Sequence, residues 1–262
     1  MTATHVPKLD APIVLVHGLC GYDRIALFGR TLKDYFPGIR EKLEAGGNRV
    51  LIPRLSLTRG VAERAAELKR FIERRVPDGG PVHLIGHSLG GLDGRYMISK
   101  LDMAERVMSL TTVGTPHRGS PVADWGVSRF RAVAAPFFHL LGLSYQAFID
   151  LTTAACARFH ATVPDAPGVR YLAVAGVCER RMMGPEWWLP HGIVSRAEGP
   201  NDGVVSVASA TWGAHTEVWE GDHLNLVNWP NRAARKRGTW DAIAPDYGRI
   251  VRRIASSLRD DR

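Results

Sequence analysis

The 262-residue sequence lacks any run of about 18 uncharged apolar residues, so nothing in it reads as a membrane-spanning helix. Its most apolar stretch, residues 132–143, is too short and carries Pro136 and His139. Cysteine is scarce. Cys20, Cys156 and Cys178 form no CxxC and no metal-ligand spacing, so at most one disulfide is possible and no metal centre is indicated. The first ten residues lack a charged head, an apolar stretch and a small-residue cleavage site. That absence predicts a cytoplasmic protein, or a secreted one whose leader is not part of this sequence. There is no internal repeat, low-complexity tract or linker, which favours one domain.

Lysine is also scarce: 28 of the 34 basic residues are arginine, in a chain of net charge +8. The arginines are scattered. The densest group is Arg232, Arg235, Lys236 and Arg237, followed by Arg249, Arg252 and Arg253. With no nucleic-acid-binding module beside it, such a group reads as a solvated face, and no nucleic-acid partner is expected.

Apolar residues make up 45% and charged residues 23%, values that fit a globular chain with a full core. Residues 12–16, 49–52, 82–85, 107–113, 169–177 and 215–219 read as strands, several as continuous apolar runs buried on both faces. Val61, Ala65, Leu68, Ile72 and Val76 fall on one side of a helix, with charges opposite. Further helices are expected at about 89–101 and 241–258. Strands alternating with helices predict an α/β fold, a mainly parallel sheet of about six strands flanked by helices. Residues 121–164 break the alternation with a surplus of aromatic and aliphatic groups. They predict a helical cap over the carboxyl ends of the strands, where ligands bind in such sheets. Phe137 and Phe138 are its candidate substrate-binding residues. An extra helical layer packed into the core is the competing reading.

Gly86-His87-Ser88-Leu89-Gly90, followed by Gly91, carries the sharpest chemical signal. It leaves a buried strand and opens a helix, the context of a nucleophile elbow. A serine on so tight a turn needs neighbours without a Cβ two residues to either side. Its hydroxyl then stands clear of the sheet, facing the helix N-terminus. In this context an acid and then a histidine follow in the chain. Among His191, His215 and His223, the last is favoured, because it lies in a loop just beyond the final strand. Asp202, in Asn201-Asp202-Gly203, is the candidate acid, although a turn aspartate before glycine is common without any such role. Asp222 adjoins His223 and is read as a loop acid. The backbone N–H groups of Leu19, after the first strand, and Leu89 are the candidate oxyanion donors.

These segments together resemble the bacterial triacylglycerol lipases of the α/β-hydrolase superfamily. The matching pieces are Pro12-Ile13-Val14-Leu15-Val16-His17-Gly18-Leu19, the Ser88 pentapeptide and Gly114-Thr115-Pro116-His117-Arg118-Gly119-Ser120. Asn201-Asp202-Gly203-Val204-Val205 and His223-Leu224-Asn225 complete them. The resemblance implies Ser88, Asp202 and His223 as nucleophile, acid and base, and a core beginning at the third strand of the general fold. Calcium-binding relatives carry Asp and Gln where this chain has Asn225 and Trp229, so no calcium of that type is expected. A disulfide common near the acid is not expected either, since Ala208 stands at one of its positions.

The expected function is hydrolysis of carboxylic esters, by a triacylglycerol lipase or long-acyl esterase acting without a cofactor, at a lipid–water interface where the substrate forms one. A thioesterase, polyester depolymerase or acyltransferase could use the same triad. A non-catalytic binding protein of this fold would be marked by loss of a triad member.

Overall fold

The computed structural model describes residues 5–19, 24–27, 30–231 and 243–257. Strand β1 (Ile13–Val16) is followed by a two-stranded antiparallel ribbon, β2 (Arg24–Leu27) and β3 (Arg30–Asp34), helix α1 (Ile39–Ala45) and β4 (Val50–Leu51). Next come α2 (Val61–Arg75), β5 (Val82–His87), α3 (Leu89–Lys100) and β6 (Val107–Val113). Helices α4 (Pro121–Leu140), α5 (Gln146–Asp150) and α6 (Thr153–Thr162) precede β7 (Arg170–Val177). The chain continues through α7 (Trp188–Glu198), α8 (Val207–Ala210), β8 (His215–Glu220) and α9 (Ala244–Ser257).

The main sheet has six strands in the order β4-β1-β5-β6-β7-β8, and every pairing is parallel. One row of neighbours runs Leu51, Val14, Leu84, Leu110, Tyr171. Because alternate side chains face opposite ways, β1 feeds two cores at once. Ile13 and Leu15 pack with Leu43 of α1 and with Tyr247 and Val251 of α9. Val14 and Val16 pack with Leu68 and Ile72 of α2 and Met97 of α3. Each such aliphatic side chain, withdrawn from water, contributes about 1.5–3 kcal/mol. The continuous apolar runs of the sequence are the consequence of this two-sided burial.

Strand and helix limits fall within three residues of those expected. The β2–β3 ribbon and helices α1, α7 and α8 were not anticipated. Helix α1 is only seven residues long, too short to establish a periodicity. Helix α7 carries His191 in a stretch to which the sequence assigned no helix; its Pro190 sits in the first turn, where no intrahelical N–H is needed. Arg249 and Arg253 of α9 turn to Glu217 on β8, the latter at 2.7 Å. Cys156 and Cys178 are buried free thiols. Cys20 and the 232–237 basic cluster lie outside the described residues. No described helix is long and apolar enough to cross a membrane.

Candidate active site

β1, β5 and β8 deliver their following loops to one edge of the sheet, the carboxyl ends of the strands. At the end of β5, Ser88 adopts φ 54° and ψ −126°, a backbone conformation rarely occupied by a residue with a side chain. The elbow is jammed against its surroundings. A Cβ on Gly86 would lie 2.7 Å from the Gly90 carbonyl oxygen, and one on Gly90 would lie 2.5 Å from the Val16 carbonyl oxygen. The Ser88 N–H donates to Val113 of β6, and the Thr115 hydroxyl donates to the Ser88 carbonyl at 2.8 Å. The strained turn is thereby held from both sides.

His223 follows β8 and meets Asp202, which follows α7. The His223 ring donates through Nδ1 to Asp202 Oδ2 at 2.7 Å. The other carboxylate oxygen accepts the backbone N–H groups of Val204 and Val205, at 3.0 and 2.8 Å. Asp202 is fully buried, and these three donors replace its water. The acid fits here because β7 carries Gly176: a Cβ there would approach Asp202 Cβ to 2.8 Å. His191 instead lies on α7 beside Ser195, and His215 is exposed at the first residue of β8, the strand end remote from His223. Asp222 points away from the His223 ring. Its Oδ1 accepts the N–H groups of Leu224 and Asn225, and its Oδ2 accepts from Asn231. Burial holds the Asp222 carboxyl above its ordinary range.

The loop after β1 passes against the elbow, so closely that a Cβ on Gly18 would lie 2.8 Å from Ser88 Cβ. His17 accepts the Leu55 N–H at Nε2, which leaves its proton on Nδ1, 3.0 Å from the Gly18 carbonyl. The His17 carbonyl accepts from buried Arg64, which pairs with buried Asp93 of α3 at 2.8 Å. Burial raises the Asp93 carboxyl to about 6, against the opposing pull of Arg64. Leu19 borders the pocket, and Leu89 is the first residue of α3, where backbone N–H groups have no partner within the helix.

Above Ser88 and His223 lies a pocket of about 540 Å³, walled by Trp125, Val127, Tyr145, Phe148, Leu151, Trp187 and Val204. Phe137 and Phe138, the two residues expected to bind substrate, are not in its wall. Phe137 faces outward, 57% exposed, and Phe138 packs behind Tyr145 and Phe148 at ring distances of 5.5 and 5.4 Å. The apolar surplus was legible; which turn of α4 meets the pocket was not, because helix rotation is set by packing. Trp187, Trp229 and Tyr35 border the pocket with no sequence signal to mark them.

Around Asn225 and Trp229, amides form a hydrogen-bonded knot. Asn225 donates to the Trp229 carbonyl at 2.8 Å and accepts from the Asp222 N–H and the Asn231 side chain. The donor set offers one carboxylate, already occupied by three N–H donors.

A model of the palmitoyl protein thioesterase family matches residues 12–154, more than half of the chain, including the loop after β1, the elbow and most of the α4–α6 segment. The chain belongs to the palmitoyl protein thioesterase family. This family member is also 29% identical to triacylglycerol lipase 2 of Saccharomyces cerevisiae, over 84% of this chain and 81% of that one. It is 32% identical to a triacylglycerol lipase of Pseudarthrobacter phenanthrenivorans, over 64% of this chain, and spans little more than half (57%) of that protein. Its fold matches the Staphylococcus hyicus lipase with a TM-score of 0.76 at 18% identity, covering 98% of this chain and 99% of that one. The protein is a carboxylic ester hydrolase with an α/β-hydrolase fold.

Proposed function

We propose that the protein hydrolyses long-acyl esters through an acyl-enzyme on Ser88. Ser88 Oγ attacks the acyl carbonyl while His223 Nε2 takes its proton, and Asp202 holds the tautomer and stabilises the imidazolium. The oxyanion accepts from the Leu19 and Leu89 N–H groups. Collapse expels the alcohol, to which His223 returns the proton. Water, deprotonated by His223, then attacks the acyl-enzyme, releasing the acid and restoring Ser88. The supporting observation is the pocket itself, an aromatic and aliphatic chamber with Ser88 and His223 on its floor. Such a lining suits a hydrocarbon chain and offers few partners to a polar one.

In this reading residues 121–164 form the cap. Its α4 carries an outward stripe of Phe130, Val133, Phe137 and Leu140, continued by Leu141 just past its end, Leu140 being 81% exposed, while α7, packed on α4, adds exposed Trp188 and Leu189. A patch of this kind seats on a lipid surface. Triacylglycerol, the substrate named for the yeast and Pseudarthrobacter relatives, presents such a surface. The family match supports a second reading, cleavage of acyl thioesters. Matched oxygen and sulfur esters from acetyl to palmitoyl, assayed with the parent and Ser88→Ala, separate the two. The first reading expects kcat/KM to rise with chain length on oxygen esters and to vanish in Ser88→Ala. Turnover confined to the sulfur series would establish the second, and a parental Ser88→Ala would remove both.

A further inference from the structure

We propose that Tyr35 and His87 form a positioning relay that ties the loop after β1, with its oxyanion donor, to the loop that carries His223. Three hydrogen bonds compose it. The Gly18 N–H donates to the Tyr35 phenol oxygen at 3.0 Å, the Tyr35 hydroxyl meets His87 Nδ1 at 2.8 Å, and His87 Nε2 meets the His223 carbonyl at 3.0 Å.

The direction of each bond follows from elementary chemistry. A carbonyl oxygen only accepts, so His87 Nε2 carries the proton. A neutral imidazole has one N–H, which leaves Nδ1 bare and obliges the Tyr35 hydroxyl to donate to it. The phenol oxygen then faces the Gly18 N–H as an acceptor. His87 is neutral because burial, and next the nearby His223, hold it well below the ordinary imidazole range. Its ring lies 4.6 Å from that of His223, so a charged His87 would oppose the imidazolium that forms there during catalysis.

The relay acts on both reacting loops through their backbones; Tyr35 and His87 also border the pocket, so the test reads KM beside kcat. At one end, Tyr35 fixes the peptide that enters Gly18, and His17 fixes the next peptide by donating to the Gly18 carbonyl. Since a peptide is planar and trans, holding that carbonyl also aims the Leu19 N–H. At the other end, His87 holds the backbone of His223 itself, one residue before Ser88 in the chain. Oxyanion donors and base must agree within a fraction of an ångström, and they sit on loops that share no strand. The Tyr35 ring is independently packed, against Phe36 at 4.9 Å and Trp229 at 6.4 Å, so its hydroxyl can be deleted while the ring stays in place.

This inference rests on the Ser88-Asp202-His223 reading, and the test keeps the two apart. Tyr35→Phe, His87→Ala, His87→Gln, the Tyr35→Phe/His87→Ala pair and Ser88→Ala are assayed on a soluble short-chain ester, with unfolding midpoints measured alongside. Tyr35→Phe and His87→Ala should each lower kcat about ten- to a hundredfold with KM within about twofold, the signature of misplaced transition-state donors. His87→Gln, whose amide can donate to the His223 carbonyl, should recover most of the His87→Ala loss. The pair should lose no more than its worse member. Parental kcat in Tyr35→Phe, or losses that simply multiply in the pair, would overturn the relay while an inactive Ser88→Ala left the triad standing. Should Tyr35→Phe fail to fold, the recovery by His87→Gln decides. An active Ser88→Ala would overturn the triad reading itself.

Discussion

Asp202 and His223 are joined twice: the His223 ring donates through Nδ1 to Asp202 Oδ2 at 2.7 Å, and the His223 backbone N–H donates to the Asp202 carbonyl at 2.8 Å. The backbone bond survives any change at the carboxylate, so Asp202→Asn should fold with His223 still in place. An amide cannot accept the Nδ1 proton through its NH2 group, and the tautomer is lost. Steady-state kcat should fall by about 10⁴ with a nearly unchanged melting temperature. A loss below tenfold would remove Asp202 from the mechanism.

Gly126 lies on the pocket side of α4, and a Cβ there would meet nothing within 4 Å. Gly126→Phe puts a phenyl ring into the pocket above Ser88 while replacing a poor helix former with a better one. Expected is a drop in kcat/KM of about tenfold or more on palmitoyl esters, with acetyl esters within about twofold. Equal losses on both would place the chain elsewhere.

Because Phe137 and Leu140 face away from the pocket, Phe137→Ser with Leu140→Ser should spare hydrolysis of a dissolved short ester. Partition onto lipid vesicles should weaken, each buried side chain having contributed about 1.5–3 kcal/mol. Vesicle flotation of parent and variant checks this. Unchanged partition would assign the stripe to something other than a lipid surface.

His83, buried on β5 against Ser109 of β6, is held at about 4 by burial and by Arg170. The unfolded chain takes up a proton near 6.5 that the folded one refuses. Its contribution to stability is therefore complete above pH 6.5 and is lost as pH falls toward 4, by an amount on the order of 3 kcal/mol. Asp93, raised to about 6, works the other way: it binds its proton more tightly when folded and adds stability over the same descent. The difference between His83→Asn and the parent isolates the histidine. Melting curves from pH 7 to 4.5 should converge or cross as the parent loses stability faster. Parallel curves would refute the assignment.

Asn225 ties Asp222, Trp229 and Asn231 together behind His223. EDTA should leave the melting temperature within about 1 °C, since Asn225 and Trp229 offer no carboxylate to a hard cation and the Asn225 amide is already hydrogen-bonded within the protein. Asn225→Ala should destabilise by about 2–3 kcal/mol, because it orphans partly buried partners. Loss of several degrees in EDTA, restored by calcium, would reveal a site among these groups.

Sequence alone sufficed for the main sheet, since its central strands, buried on both faces, are largely apolar, as Ile13–Val16 is throughout. It sufficed for the elbow too, since a Cβ at Gly86 or Gly90 collides with backbone and leaves glycine as the one choice. Both are local constraints, written in consecutive residues. The choice of His223 over His191 and His215 followed from its place just past the last strand. Tertiary structure decided the rest. Trp125 faces the pocket and Phe137 the outside on one continuous helix, because rotation about its axis is set by what α4 packs against. Tyr35 reaches His87 across 52 residues of chain, and Gly176 makes room for Asp202 from another strand. Contacts between residues so far apart leave no periodicity and no spacing. They exist only once the sheet has brought its loops to one edge.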